Sequence, residues 1–180
     1  MRLVAWTPND LIRRLDDVMD VYGQAMGYPP ELLAARRGHI GSHVHRAGFR
    51  AIASLDNSGM LMGFGYGYRS APGQWWHDQV RGALDQEQGA TWLTNCFEVV
   101  ELHVRPFAQG HGVGAAQLKS LLAMARGADT TLLSTPEADE TTSRAWRLYR
   151  RFEFVDVVRH FQFPGDSRPF AVLGRRLPLT

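Results

Sequence analysis

Three groups of residues in this chain have types and spacings suited to chemistry: the glycines Gly110, Gly112 and Gly114 after Gln109, the carboxylates Glu98 and Glu101, and the phenol of Tyr149. The glycines leave backbone N–H groups uncovered where a helix should begin, and the first N–H groups of a helix have no partner within it. With the positive end of the helix dipole behind it, such a turn can hold a polyphosphate. A carboxylate can remove the proton of an alkylammonium, whose ordinary pKa is about 10, and a phenol of similar pKa can give a proton to a departing group. His39, His43 and His45 invite a metal reading, yet no cysteine or carboxylate completes a known ligand spacing, so no metal is expected and a surface or capping role is assigned to them. No G-x-S-x-G nucleophile turn exists. The Gly63, Gly65, Gly67 pattern lies in an alternating apolar segment without a helix start behind it, which favours close backbone packing or a bulge over a dinucleotide site.

These residues need elements to position them. Residues 97–104 are rich in Val, Leu and Phe and are closed by Arg105-Pro106, as expected of a buried strand. Val113, Ala116, Leu121, Met124 and Ala125 fall toward one side of a helix that Arg126-Gly127 stops. Upstream come a short apolar strand at residues 3–6, a helical pattern from Leu11 to Tyr22, and a second helical pattern from Glu31 to about Val44. Two strand-like segments, 49–55 and 60–69, flank Asp56-Asn57-Ser58-Gly59 and read as an antiparallel hairpin. Downstream are a strand at 130–134, a helical face at Ala145, Leu148, Tyr149 and Phe152, and two closing strands at 154–163 and 170–177. Residues 70–95 form a helical insertion that should cover something, since long structureless connections are uncommon in compact folds. Within it, Trp75 and Trp76 either line an acceptor pocket or anchor the insertion.

Gln109-Gly110-His111-Gly112-Val113-Gly114 matches the Q/R-x-x-G-x-G/A signature of the GCN5-related N-acetyltransferases (GNAT). Residues 142–154 resemble that family's N-x-x-A-x-x-L-Y-x-x-x-G-F, with Thr142 where Asn is usual and Glu153 where Gly is usual. The resemblance implies an α/β (α+β mixed) fold: one domain over residues 1–180, built on a twisted mixed sheet of about seven strands with helices on both faces and splayed central strands. It also implies acetyl-coenzyme A as co-substrate. Gly110, His111, Gly112, Val113, Gly114 and Ala115 would surround the pyrophosphate, with Gln109 opening the turn, while Leu102, His103 and Val104 would meet pantetheine through backbone groups. Thr142 would stand in for the coenzyme-binding Asn, and Tyr149 for the general acid. Glu98, eleven residues before Gln109, stands where one branch of the family places its general base; Glu101 competes with it. Strand alternation puts the two carboxylates on opposite faces unless a bulge intervenes.

The expected activity is acetyl transfer to a primary amine by direct attack in a ternary complex, the acceptor a small amine, an amino acid or an aminoglycoside-like molecule. A protein N-acetyltransferase and a non-catalytic acyl-coenzyme A-binding module are the alternatives. The 180 residues carry 20 basic and 18 acidic side chains, interspersed, for a formal charge of +2, so no nucleic-acid partner is expected. Glu137, Asp139 and Glu140 are read as a solvated acidic loop in preference to an acceptor contact. A single cysteine, Cys96, excludes an internal disulfide and is read as a packed apolar residue. The N-terminus becomes charged too early for a secretory signal, and no apolar run is long enough to span a bilayer. A cytoplasmic protein, possible as a homodimer, is expected.

Overall fold

Thr7-Pro8 ends the first strand and starts the first helix: the Thr7 hydroxyl accepts from the Asp10 N–H, the Asp10 carboxylate accepts the Thr7 N–H in return, and Pro8 takes the first helical position. From there a computed structural model describes residues 1–179 as strands β1 (Arg2–Trp6), β2 (Arg50–Leu55), β3 (Leu61–Arg69), β4 (Cys96–Val104), β5 (Thr130–Pro136), β6 (Val155–Gln162) and β7 (Pro169–Arg176). The helices are α1 (Pro8–Arg13), α2 (Leu15–Met26), α3 (Pro30–His43), α4 (Trp75–Ala83), α5 (Gln86–Leu93), α6 (Val113–Met124) and α7 (Arg144–Arg151). The strands follow the order β1-β2-β3-β4-β5-β7-β6 in one mixed sheet. This is the α/β architecture expected from the sequence. One expected helix is two, because the backbone at Arg14 leaves helical geometry between α1 and α2.

One compact unit comprises Met1–Tyr68 and Val99–Arg126. Its hairpin turns where expected, with Asp56 Oδ1 accepting the Ser58 and Met60 N–H groups. Alternation sends Ala51, Ala53 and Leu55 of β2 and Phe64, Tyr66 and Tyr68 of β3 into a core with Val18, Val21 and Tyr22 of α2 and Ile40 of α3. The intervening Ser54 meets α6 instead, accepting from Gln117 Nε2 at 2.9 Å. On that side β3 must be bare. A Cβ on Gly63 would lie 2.6 Å from both Gln117 Nε2 and the His103 carbonyl oxygen, and one on Gly65 would lie 2.8 Å from Leu102 Cδ1. The glycine run of β3 therefore serves close packing.

The other unit comprises Arg69–Glu98 and Gly127–Thr180. Cys96, Phe97 and Glu98 of β4 pair in parallel with Thr130, Thr131 and Leu132 of β5, and β5 and β6 each pair antiparallel with β7. The insertion is α4 and α5. Their Val80, Leu84 and Leu93 pack with Cys96, Leu132, Val172 and Phe163, so the insertion covers this unit's core. Trp76 anchors it by donating Nε1–H to Ser134 Oγ, while Trp75 stays exposed against Phe163. Burial pushes the Cys96 thiol up to about 12. Among the described residues no helix is long and apolar enough to cross a membrane.

Candidate active site

The turn before α6 is built from β4 outward. Arg105, which is buried, ends the strand by three ties: its N–H donates to the Met62 carbonyl, its Nε to the Leu61 carbonyl at 2.6 Å, and its Nη1 pairs with Asp20 at 2.6 Å. Pro106–Ala108 then make one 3-10 turn, and Gln109 reaches back to donate Nε2–H to the Val104 carbonyl at 3.0 Å. Gly110 and Gly112 follow at φ of +83° and +79°, in the left-handed region where a side chain is strained, with no atom within 4 Å of where a Cβ would stand. Gly112 caps α6 without a side-chain hydrogen bond, and the first helical bond is Ala116 N–H to Gly112 C=O. The amides of Val113, Gly114 and Ala115 thus precede the helix's own bonding and sit at its positive end, while His111 is exposed beside them. A pyrophosphate group fits this cradle: open, glycine-lined and uncapped.

Near the end of β4, Glu101 and His103 share one face by strand alternation. His103 Nε2 lies 2.6 Å from Glu101 Oε2, with both side chains near nine-tenths buried at 13% and 15% exposure. The Tyr22 ring makes a T-shaped contact with the His103 ring at 4.9 Å, and the Phe64 ring lies 5.6 Å from it. Nearby, His43 Nδ1 bonds the Tyr66 hydroxyl at 2.9 Å, and burial pushes this imidazole down to about 4, opposed by the Glu101 carboxylate. His43 is therefore half-buried and bonded to β3 from the end of α3, whereas His39 and His45 are exposed. The carbonyls of Glu101 and His103 face Gly65 and Gly63, while Leu102 Cδ1 packs at Gly65.

In the other unit Glu98 is 3% exposed, on the short ladder opposite Leu132. Tyr149 lies on α7, buried to 9% exposure, its ring tilted against Phe154 at 5.9 Å. Ser143 caps α7 by accepting from the Trp146 N–H. The fully buried Trp146 ring is flanked by the guanidinium carbons of Arg150 and Arg159 at 5.1 and 4.9 Å from its centroid. Those arginines also take the acidic loop: Arg159 pairs with Glu137 at 2.7 Å and Arg150 with Glu140 at 2.5 Å, and the Arg159 hydrogen bonds hold the Glu137 carboxyl below its ordinary range. Thr142 turns its hydroxyl onto the Asp139 carbonyl at 3.3 Å, inside its own turn. Glu153 adopts φ +58°, a left-handed conformation at the position where the motif resemblance calls for Gly.

The Acetyltransferase (GNAT) family model matches residues 25–154, which is most of the chain. The chain belongs to the GNAT family. Over 203 aligned residues it is 39% identical to the GCN5-like protein acetyltransferase Rv2170 of Mycobacterium tuberculosis (strain ATCC 25618 / H37Rv), covering 98% of each chain. Among solved structures, an aminoglycoside 6'-N-acetyltransferase complexed with coenzyme A is similar with a TM-score of 0.69 at 14% identity, covering 99% of this chain and 98% of that one. The ribosomal-protein-S18-alanine N-acetyltransferase of Escherichia coli is similar with a TM-score of 0.67 at 13% identity, covering 99% and 95%. These likenesses carry the GNAT fold, and the family carries acetylation from acetyl-coenzyme A. In this GNAT chain, sequence reasoning missed Arg105, Tyr22 and the imidazole of His103. The spacing of Glu101 and His103 by two on one strand was the available signal for the last of these; the others are brought in by distant elements.

Proposed function

We propose that this chain is an N-acetyltransferase that moves the acetyl group of acetyl-coenzyme A onto a primary amine by direct attack, with Glu101 as general base and Tyr149 as general acid. The observation that carries the reading is the Glu101 carboxylate, 15% exposed, held against an imidazole on the strand that leads into the phosphate cradle. Glu98 is the weaker base because its 3% exposure leaves it little access to an acceptor. The amides of Val113, Gly114 and Ala115 would hold the pyrophosphate, Gly110 and Gly112 let it approach, and the backbone of Leu102 to Val104 would take the pantetheine arm. When bound, acetyl-coenzyme A supplies the activated acyl group. Glu101 takes one proton from the acceptor's ammonium; the amine nitrogen then bonds the acetyl carbon as the carbon–sulfur bond breaks, and Tyr149 gives the thiolate its proton. The second proton, shed by the acylated nitrogen, restores the Tyr149 phenol, and Glu101 releases its own proton to solvent. The buried Cys96 offers no thiolate for an acyl-enzyme, which supports attack by the amine itself.

The relative named a protein acetyltransferase is similar across its whole length, which favours a protein amine over the small amines that the sequence alone suggested. Thiol release from acetyl-coenzyme A with a lysine peptide tests the reading. Glu101→Gln should lower kcat/KM by about 100-fold and Tyr149→Phe by about 10-fold or more, given the usual size of general acid–base contributions. Undiminished turnover in Glu101→Gln would refute the base assignment.

A further inference from the structure

His103 is fixed at both ends. Its carbonyl lies where a Cβ on Gly63 would come within 2.6 Å, and its ring is held by a T-shaped contact with Tyr22 and by the fully buried Phe64. Its Nε2 meets Glu101 Oε2 at 2.6 Å. An ionised carboxylate only accepts hydrogen bonds, so Nε2 carries the proton and donates it. One carboxylate oxygen is thereby tied and the other is left for an incoming ammonium. Building on the assignment of Glu101 as base, we propose that His103 is the positioning residue of this site, holding Glu101 through the Nε2–H hydrogen bond so that its second oxygen meets the acceptor.

A positioned carboxylate has a purpose here because Glu101 is a long side chain on a strand, with three freely rotating bonds. An error of about 1 Å in a reacting group can cost about 100-fold in rate. The other titratable groups around the pair are Tyr22 from α2, His43 from α3, and Tyr66 and Tyr68 from β3, which touch His43. His103 Nε2 meets the Glu101 carboxylate directly.

Two substitutions separate positioning from packing. His103→Phe keeps a ring against Tyr22 and Phe64 but removes the donor, whereas His103→Gln keeps an N–H donor at similar reach and loses the ring. Positioning requires that kcat with a lysine peptide falls about 10- to 100-fold in His103→Phe, following the effect of small misplacements. His103→Gln then retains most of the wild-type kcat, and both keep the acetyl-coenzyme A affinity measured by calorimetry. Adding His103→Phe to Glu101→Gln should cause no further loss, since the imidazole acts through the carboxylate. Wild-type kcat in His103→Phe, an equal fall in His103→Gln, or additive losses in the double variant would each overturn the proposal. If Glu101→Gln alone is unimpaired, the base assignment fails and this inference falls with it. If Glu101→Gln is impaired while His103→Phe is not, this inference alone fails.

Discussion

His43 Nδ1 and the Tyr66 hydroxyl lie 2.9 Å apart, joining the last turn of α3 to the core strand β3. Burial lowers this imidazole from an ordinary 6.5 to about 4, so between those pH values the unfolded chain binds a proton that the folded chain refuses. Stability therefore rises with pH through this window and is lost as pH falls from 6.5 toward 4. After discounting for solvent screening, the loss is about 1–2 kcal/mol. Thermal melts from pH 7 to 4.5 should show this slope in the wild type and a flatter profile in His43→Gln. Glu137, whose carboxyl is lowered by its Arg159 hydrogen bonds, adds a separate loss that begins only as pH falls below 4.5.

Gly63 and Gly65 sit two residues apart on β3 but should respond differently to a methyl group. At Gly63 the new Cβ would meet the His103 carbonyl, which is backbone and cannot swing away; at Gly65 the nearest atom is the flexible tip of Leu102. Gly63→Ala should destabilise by about 2–3 kcal/mol and Gly65→Ala by about 1 kcal/mol or less, in line with overpacking costs. Urea unfolding of the two variants checks the order. Gly63→Ala should also lower kcat, because the displaced residue is His103.

Arg105 ties the corner after β4 to both α2 and β3. Arg105→Ala strands the Leu61 carbonyl and frees Asp20, a loss of about 2 kcal/mol for a buried acceptor left unpaired. The larger consequence lies in binding, since the turn that ends at Gly110 and Gly112 starts from this corner. Calorimetry should show weaker acetyl-coenzyme A binding for Arg105→Ala, by about 10-fold, the equivalent of 1.4 kcal/mol.

Glu153 holds a left-handed backbone at the end of α7. A side chain there costs about 1–2 kcal/mol, of which Gly recovers part and loses part to the greater freedom of its unfolded chain. The ion pair with Arg175 at 3.6 Å is mostly exposed on the Glu153 side and adds little. Glu153→Gly should raise the melting temperature by about 1–2 °C, a net gain near 0.5 kcal/mol. Unchanged or lower melting would show that the strain is relieved elsewhere.

The sheet and its helices were legible because their signals are local. The run of Val, Leu and Phe before Arg105-Pro106 announced β4, Asp56-Asn57-Ser58-Gly59 announced the hairpin, and Gln109 to Gly114 announced the cradle. The break at Arg14 was hidden, since the apolar spacing continues through it while only the backbone changes. The surroundings of Glu101 and His103 were hidden for another reason: Tyr22 of α2 and Phe64 of β3 meet the His103 ring and His43 of α3 lies near Glu101, and no spacing rule links residues so far apart in the chain. The local partner of Thr142 was hidden too: its hydroxyl donates to the Asp139 carbonyl one turn back, a contact that motif matching does not register.

The thiol of Cys96 has a practical corollary. With its proton held up to about pH 12 and no exposure to solvent, this thiol is closed to an aromatic disulfide dye. Every equivalent of colour developed by such a dye during turnover comes from released coenzyme.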